Sequence, residues 1–111
     1  MPYMINGQPT GILEEPIERD GTYYVPLHEV VQALGGNVGW DNNTKTAAAT
    51  IGQWTAHVQM MNNAVDVNGT QVNLSAPPMV ENDTMYVPWD FFRDSYGYKS
   101  SMDGGTLNIG L

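Results

Sequence analysis

The feature that most constrains this fold is an internal repeat: Ile5 to Thr44 lies on Val67 to Thr106 without a gap, at an offset of 62 residues, as from Asn6 to Asn68. Ten positions are identical under that offset: Asn6/Asn68, Gly7/Gly69, Pro16/Pro78, Thr22/Thr84, Tyr24/Tyr86, Val25/Val87, Pro26/Pro88, Gly35/Gly97, Asp41/Asp103 and Thr44/Thr106. They sit on turn and core positions. A unit that repeats its turns and core, and repeats no cluster of reactive side chains, points to architecture before catalysis. The reading is one compact domain over 1–111 built from two repeats, 5–44 and 67–106, with 45–66 supplying connecting hairpin strands. No Pro/Ser-rich linker separates the halves, so strands of both are expected to pair in one structure.

Strand signals dominate. Asn6-Gly7 and Asn68-Gly69 are hairpin signals, because a type I′ turn needs positive φ at both central residues, which Asn and Gly tolerate. They predict strand pairs over 2–5 and 8–13, and over 63–67 and 70–75. Turns at Arg19-Asp20-Gly21 and Glu81-Asn82-Asp83 each precede a Thr/Tyr/Val-rich run that ends at Pro26 or Pro88. Both prolines suit the first turn of a helix, where the N–H groups lack partners. Leu27, Val30, Val31 and Leu34 form one apolar stripe, and Gly35-Gly36 stops it. In the second helix Trp89, Phe92 and Tyr96 hold the stripe, Arg93 replaces Val31, and Gly97 stops it. Each helix should run two to three turns. Strands then follow over 37–40 and 45–51, 55–61 and 64–67, and, in the second copy, 99–102 and 107–111. The fold class expected is α+β: two tandem copies of a strand-rich unit with one short helix each, a meandering antiparallel sheet wrapped on the helices.

Twelve acidic against four basic residues give a net charge of −8. That balance disfavours nucleic acid and anionic membrane surfaces as partners. Cysteine is absent, which excludes disulfides and thiolate metal sites without choosing a compartment. The first twenty residues hold neither a basic n-region nor an apolar run, so no signal peptide is expected in this chain, and no segment approaches the roughly 20 apolar residues of a membrane span.

The segment GTYYVPLHEVVQALGGNVGWDNNTKT, Gly21 to Thr46, followed by PPMVENDTMYVPWDFFRDSYGYKSSMDGGTLNI, Pro77 to Ile109, resembles the copper amine oxidase N-terminal-like, or stalk, domain of bacterial surface proteins and cell-wall hydrolases. The shared order is V-P, helix, Gly, strand, W-D, in two copies, over nearly the whole chain. The resemblance implies a small α+β domain in which about five antiparallel strands wrap a helix. It also implies a role in binding or spacing rather than reaction. Copper and amine oxidation do not carry over: the catalytic chemistry of such oxidases lies in another domain, with three histidine ligands and a tyrosine-derived quinone. This chain has only His28 and His57 and no Asn-Tyr-Asp/Glu sequence. The second copy departs from the pattern at Trp89-Asp90 and at Met102, which stands where the first has Trp40.

No constellation of catalytic residues stands out. His28 and His57 fall on different elements. Asp41-x-Asn43 and Asp103-Gly104-Gly105 lack the oxygens of a calcium loop and read as turns. Glu14-Glu15 lies in a loop, and Asp90/Asp94 on an exposed helix face. No catalytic residue, metal site or cofactor is therefore expected, and the chain is not read as an enzyme. Aromatics remain. Trp40, Trp89, Phe92 and Tyr96 have core assignments from the repeat and the stripe. Trp54 at a hairpin tip, Phe91 opposite Glu29 in the repeat, and Tyr98 opposite Gly36 are aromatics the core does not need, and they are the expected ligand-binding residues, placed chiefly on the second copy. The function expected is a non-catalytic cell-envelope binding module for wall polysaccharide or peptidoglycan, part of a surface protein or a phage endolysin, extracellular or wall-associated. The alternative is a structural stalk or self-assembling subunit making protein–protein contacts. Partners would be a bacterial cell-wall polymer or a protein, with oligomers open and neither nucleic acid nor membrane insertion involved.

Overall fold

A computed structural model describes residues 3–110. The fold is α+β and mostly strand, with two short helices. Its first half runs β1 (Tyr3–Ile5), β2 (Gln8–Pro9), β3 (Ile17–Arg19), β4 (Thr22–Pro26), α1 (Leu27–Ala33), β5 (Asn37–Asp41) and β6 (Thr46–Ile51). The second adds β7 (Trp54–Gln59), β8 (Ala64–Val67), β9 (Thr70–Asn73), β10 (Met79–Glu81), β11 (Thr84–Pro88), α2 (Phe91–Tyr96), β12 (Lys99–Asp103) and β13 (Thr106–Gly110). Pro2 and Leu111, expected at the outer ends of the first and last strands, lie outside the described residues. Among those described, no helix is long and apolar enough to cross a membrane.

Tight turns set the hairpins. Asn6-Gly7, Asp20-Gly21, Asn68-Gly69, Asn82-Asp83 and Gly104-Gly105 all have positive φ at both residues, the backbone twist of a two-residue hairpin loop. The strands gather into three sheets. A central one has the order β10-β11-β4-β3, with Val25 opposite Val87, Tyr24 opposite Pro88 and Pro26 opposite Tyr86. Its register is therefore symmetric about the Val25–Val87 pair. The expected antiparallel meander is the second sheet, β5-β6-β7-β8-β9. The third, β12-β13-β1-β2, differs from expectation in that β1 runs parallel to β13, Tyr3 opposite Leu107. β1 and β13 come from opposite ends of the chain, so no hairpin turn joins them and none imposes an antiparallel direction. Segments from both halves of the chain thus share sheets: β1–β2 with β12–β13, and β8–β9 with β5–β6.

The core lies between the sheets and helices, with Val25, Val87, Leu27, Val30, Val31, Val58, Phe91, Phe92 and Leu107 fully buried. Alternation is clean along β6, where Ala47, Ala49 and Ile51 are buried and Thr46, Ala48 and Thr50 are not. Small alanines let α1 approach this strand. At the end of α1, Gly36 N–H donates to Val31 O at 2.9 Å and Gly35 N–H to Gln32 O at 3.0 Å, a Schellman closure.

The second helix differs from its expected frame. Pro88 ends β11, Trp89 and Asp90 form a turn, and α2 begins at Phe91 with Asp90 as its N-cap. This shift turns Phe91 inward. Its ring meets Phe92 at 5.0 Å and Tyr96 at 5.5 Å, both edge to face. Asp90 is buried rather than on an exposed face, accepts a hydrogen bond from Ser75 Oγ at 3.1 Å, and lies 3.6 Å from the Arg93 guanidinium. Arg93 also holds Asp94 at 2.9 Å, so a shared cation sits between the two carboxylates.

Candidate functional site

The aromatics expected to bind are not a common patch. Phe91 is 0% exposed and belongs to the core, for the helix-frame reason given above. Tyr98 is half-buried against Tyr96, ring centroids 6.1 Å apart, and burial raises its hydroxyl pKa. Trp54 is 50% exposed at the tip of the β6–β7 hairpin, and no aromatic ring among the described residues stacks on it.

Trp40, expected in the core, is 48% exposed and lines a groove between β5, α1 and the β10–β11 hairpin. On β5 it lies opposite Ala47, so its ring points to the core side of the sheet. Between that ring and the first turn of α1 is a hollow of about 270 Å³, walled by Leu27, His28, Glu29 and Met85. On the ring's other side a hollow of about 420 Å³ runs between Met60, Val80, Met85 and Asp83, with Asn42 and Lys45 at its rim. Trp40, Asp83 and Met85 line both, which makes them one groove. The core assignment of Trp40 came from the repeat, which carried no information on whether a helix covers that end of the sheet. The signal that sequence reasoning missed is the clustering of Met60, Val80 and Met85 beside a tryptophan, which depends on β5 and the β10–β11 hairpin lining one groove.

Local chemistry shapes the groove. Asp83 occupies the second position of its I′ turn at φ 62, where the related turn has Gly21. Lys45, also at positive φ, folds its amino group back to donate to Asn42 Oδ1 at 2.8 Å. His28 Nδ1 is 3.7 Å from Glu29 Oε2 on α1, and His57 Nδ1 is 3.6 Å from Asp66 Oδ2 on the outer face of the meander. The histidines therefore belong to separate neighbourhoods. Among the described residues no group of three or more His, Cys, Asp or Glu is placed to hold a metal ion. What the groove offers is a flat ring, thioethers and a few rim carboxylates and amides, the makings of a binding site.

Residues 4–111 match the family described as the copper amine oxidase N-terminal domain. The chain belongs to that family. As a copper amine oxidase N-terminal domain it is of a non-catalytic type, found in amine oxidases and related surface proteins. No curated protein matches it.

Proposed function

We propose that this domain is a non-catalytic binding module of the bacterial cell envelope, carried by a surface protein or an endolysin, and that the Trp40 groove holds a wall polysaccharide or peptidoglycan strand. The observation that carries the reading is a half-exposed tryptophan on the core side of its sheet, left uncovered and flanked by Met60, Met85 and Asp83. A ring in that position lies flat against the apolar face of a sugar while Asp83, Asn42 and His28 reach its hydroxyls. Within this reading the segments 5–44 and 67–106 are two copies of one ancestral unit, and only the first presents an open groove.

Co-sedimentation with Gram-positive cell-wall sacculi tests the assignment. Wild-type protein should pellet saturably, Trp40→Ala should lose at least tenfold in affinity, and Trp54→Ala should bind as wild type. Loss with Trp54→Ala alone would return the site to the hairpin tip. No pelleting, with a mass that rises with concentration in light scattering, would favour a self-assembling structural subunit.

A further inference from the structure

Trp40 borders a third hollow, and this one opens on the other face of its sheet. β5 is the edge strand of the meander, and around that edge lies a space of about 410 Å³ lined by Trp40, Asp41, Thr44, Thr46, Ala48 and His57. Ala48 and His57 are cross-strand partners on β6 and β7 and alternate with the buried Ala47, Ala49, Ala56 and Val58, so this hollow lies on the outer face. The β5–β6 turn stands between the two faces: Asn42 and Lys45 border the inner hollow of about 420 Å³, and Asp41 and Thr44 the outer one. Its own hydrogen bonds fix that turn. Asn43 N–H donates to Asp41 Oδ1 at 2.9 Å and Lys45 Nζ to Asn42 Oδ1 at 2.8 Å, while Thr46 Oγ1 and Gln59 Nε2 both donate to Thr44 O at 3.1 Å. A path thus runs from α1, past Trp40 and around a braced edge, to His57.

None of the three hollows along it exceeds the lower half of the range, about 300–1,000 Å³, that small-molecule sites occupy. Hollows that follow one another suit a chain. His57 Nδ1 faces Asp66 Oδ2 at 3.6 Å, and that carboxylate favours a proton on Nδ1, which leaves Nε2 to accept from a hydroxyl. Among the lining residues the carboxylates Glu29, Asp83 and Asp41 outnumber the ammonium of Lys45, so a sugar chain without phosphates is favoured over a polyanion.

We propose that the ligand is a sugar chain long enough to pass both sides of the β5 edge, and that His57 on the outer face is a second contact for the same chain. The proposal rests on the wall-binding reading. A chain held at two places gains about 10²–10⁴-fold through effective concentration, so affinity should climb once a fragment reaches His57.

The test is competition for sacculus pelleting by polysaccharide released from the same sacculi, cut by mild acid and fractionated into disaccharide, tetrasaccharide and octasaccharide. At equal sugar content the octasaccharide should displace wild type at least tenfold better than the disaccharide. His57→Ala should lose most of that advantage and leave the disaccharide unchanged, which also shows that the variant is folded. Ala48→Gln, which fills the outer hollow without removing a polar group, should do the same. Trp40→Ala should weaken every fragment, and Trp54→Ala should match wild type. Competition that does not rise with length, or a length advantage that survives both His57→Ala and Ala48→Gln, overturns the outer contact and leaves the Trp40 groove standing. Failure of the sacculi to pellet wild type overturns the wall reading, and the outer contact with it.

Discussion

Asp83 is where stability and binding should move in opposite directions. It sits at φ 62 after Asn82 at φ 51, in a turn whose second position favours glycine. A left-handed conformation costs an ordinary L-residue about 1–2 kcal/mol, somewhat less for aspartate, whose short side chain tolerates it. Replacing it by glycine removes that strain but returns freedom to the unfolded chain, worth about 0.4–1 kcal/mol the other way. Asp83 is exposed and makes no hydrogen bond or ion pair among the described residues, so the exchange sacrifices no contact. The expected net is a gain of about 0.5 kcal/mol for Asp83→Gly, or roughly 2–4 °C in Tm for a domain of this size. The reciprocal Gly21→Asp should lose a similar amount through conformation alone, because a Cβ at Gly21 meets nothing within 4 Å. Thermal and urea denaturation of the pair read both signs, and sacculus binding of Asp83→Gly should fall. A lower Tm for Asp83→Gly would refute the strain argument; unchanged binding would remove Asp83 from the ligand's contacts.

Gly36→Ala should destabilise by about 2–3 kcal/mol, because the new Cβ would run into the Thr50 carbonyl oxygen and come within 2.8 Å of Ile51 Cγ1, and backbone cannot rotate away as a side chain can; a urea midpoint within error of wild type would contradict this close approach. Tyr96→Phe removes the hydrogen bond donated to Ala49 O at 2.7 Å, which ties α2 to β6, and should cost about 1–2 kcal/mol in the same assay. Burial raises the hydroxyl pKa of Tyr3, Tyr24, Tyr86, Tyr96 and Tyr98 above the ordinary 10.0. The folded chain therefore keeps protons that the unfolded chain releases. Stability should hold below about pH 10 and fall above it, by about 1.4 kcal/mol per pH unit for each tyrosine held fully protonated, and Tyr96→Phe should make the fall shallower; a flat urea midpoint from pH 10 to 12 would contradict it.

The turns were the most legible part of the fold because their chemistry is local. Asn6-Gly7, Asp20-Gly21 and Asn68-Gly69 each specify positive φ with no help from tertiary contacts, and each hairpin follows. The start of α2 was less legible because the frame of α1 was carried across the repeat. Trp89 and Asp90 form a turn before α2, and the Asp90 carboxylate is engaged by Ser75 and Arg93 rather than capping the helix, tertiary contacts that the local pattern does not carry. The parallel β1–β13 pair could not be read locally, since it joins opposite ends of the chain. Of the candidate site, Trp54 was rightly read as exposed, whereas Phe91 and Trp40 exchanged roles: burial depends on what packs over a position, which alternation does not encode.

That exchange explains why a symmetric register yields an asymmetric surface. The groove positions Glu29, Trp40, Asp83 and His28 correspond, 62 residues on or back, to Phe91, Met102, Gly21 and Asp90. At the second set Phe91 is buried among rings, Met102 packs partly against the core, Gly21 has no side chain, and Asp90 is tied to Ser75 and Arg93. Phe91, Met102 and Asp90 thus fill or tie up what Glu29, Trp40 and His28 leave open, while Gly21 offers no side chain in place of Asp83. Closing the first set in the same way should therefore abolish binding and stiffen the fold. Glu29→Phe with Trp40→Met is the double variant that carries this out, and it should lose sacculus binding without losing thermal stability. If it unfolds instead, the first half cannot accept the packing of the second, and the open groove is a requirement of the fold rather than a site spared for a ligand.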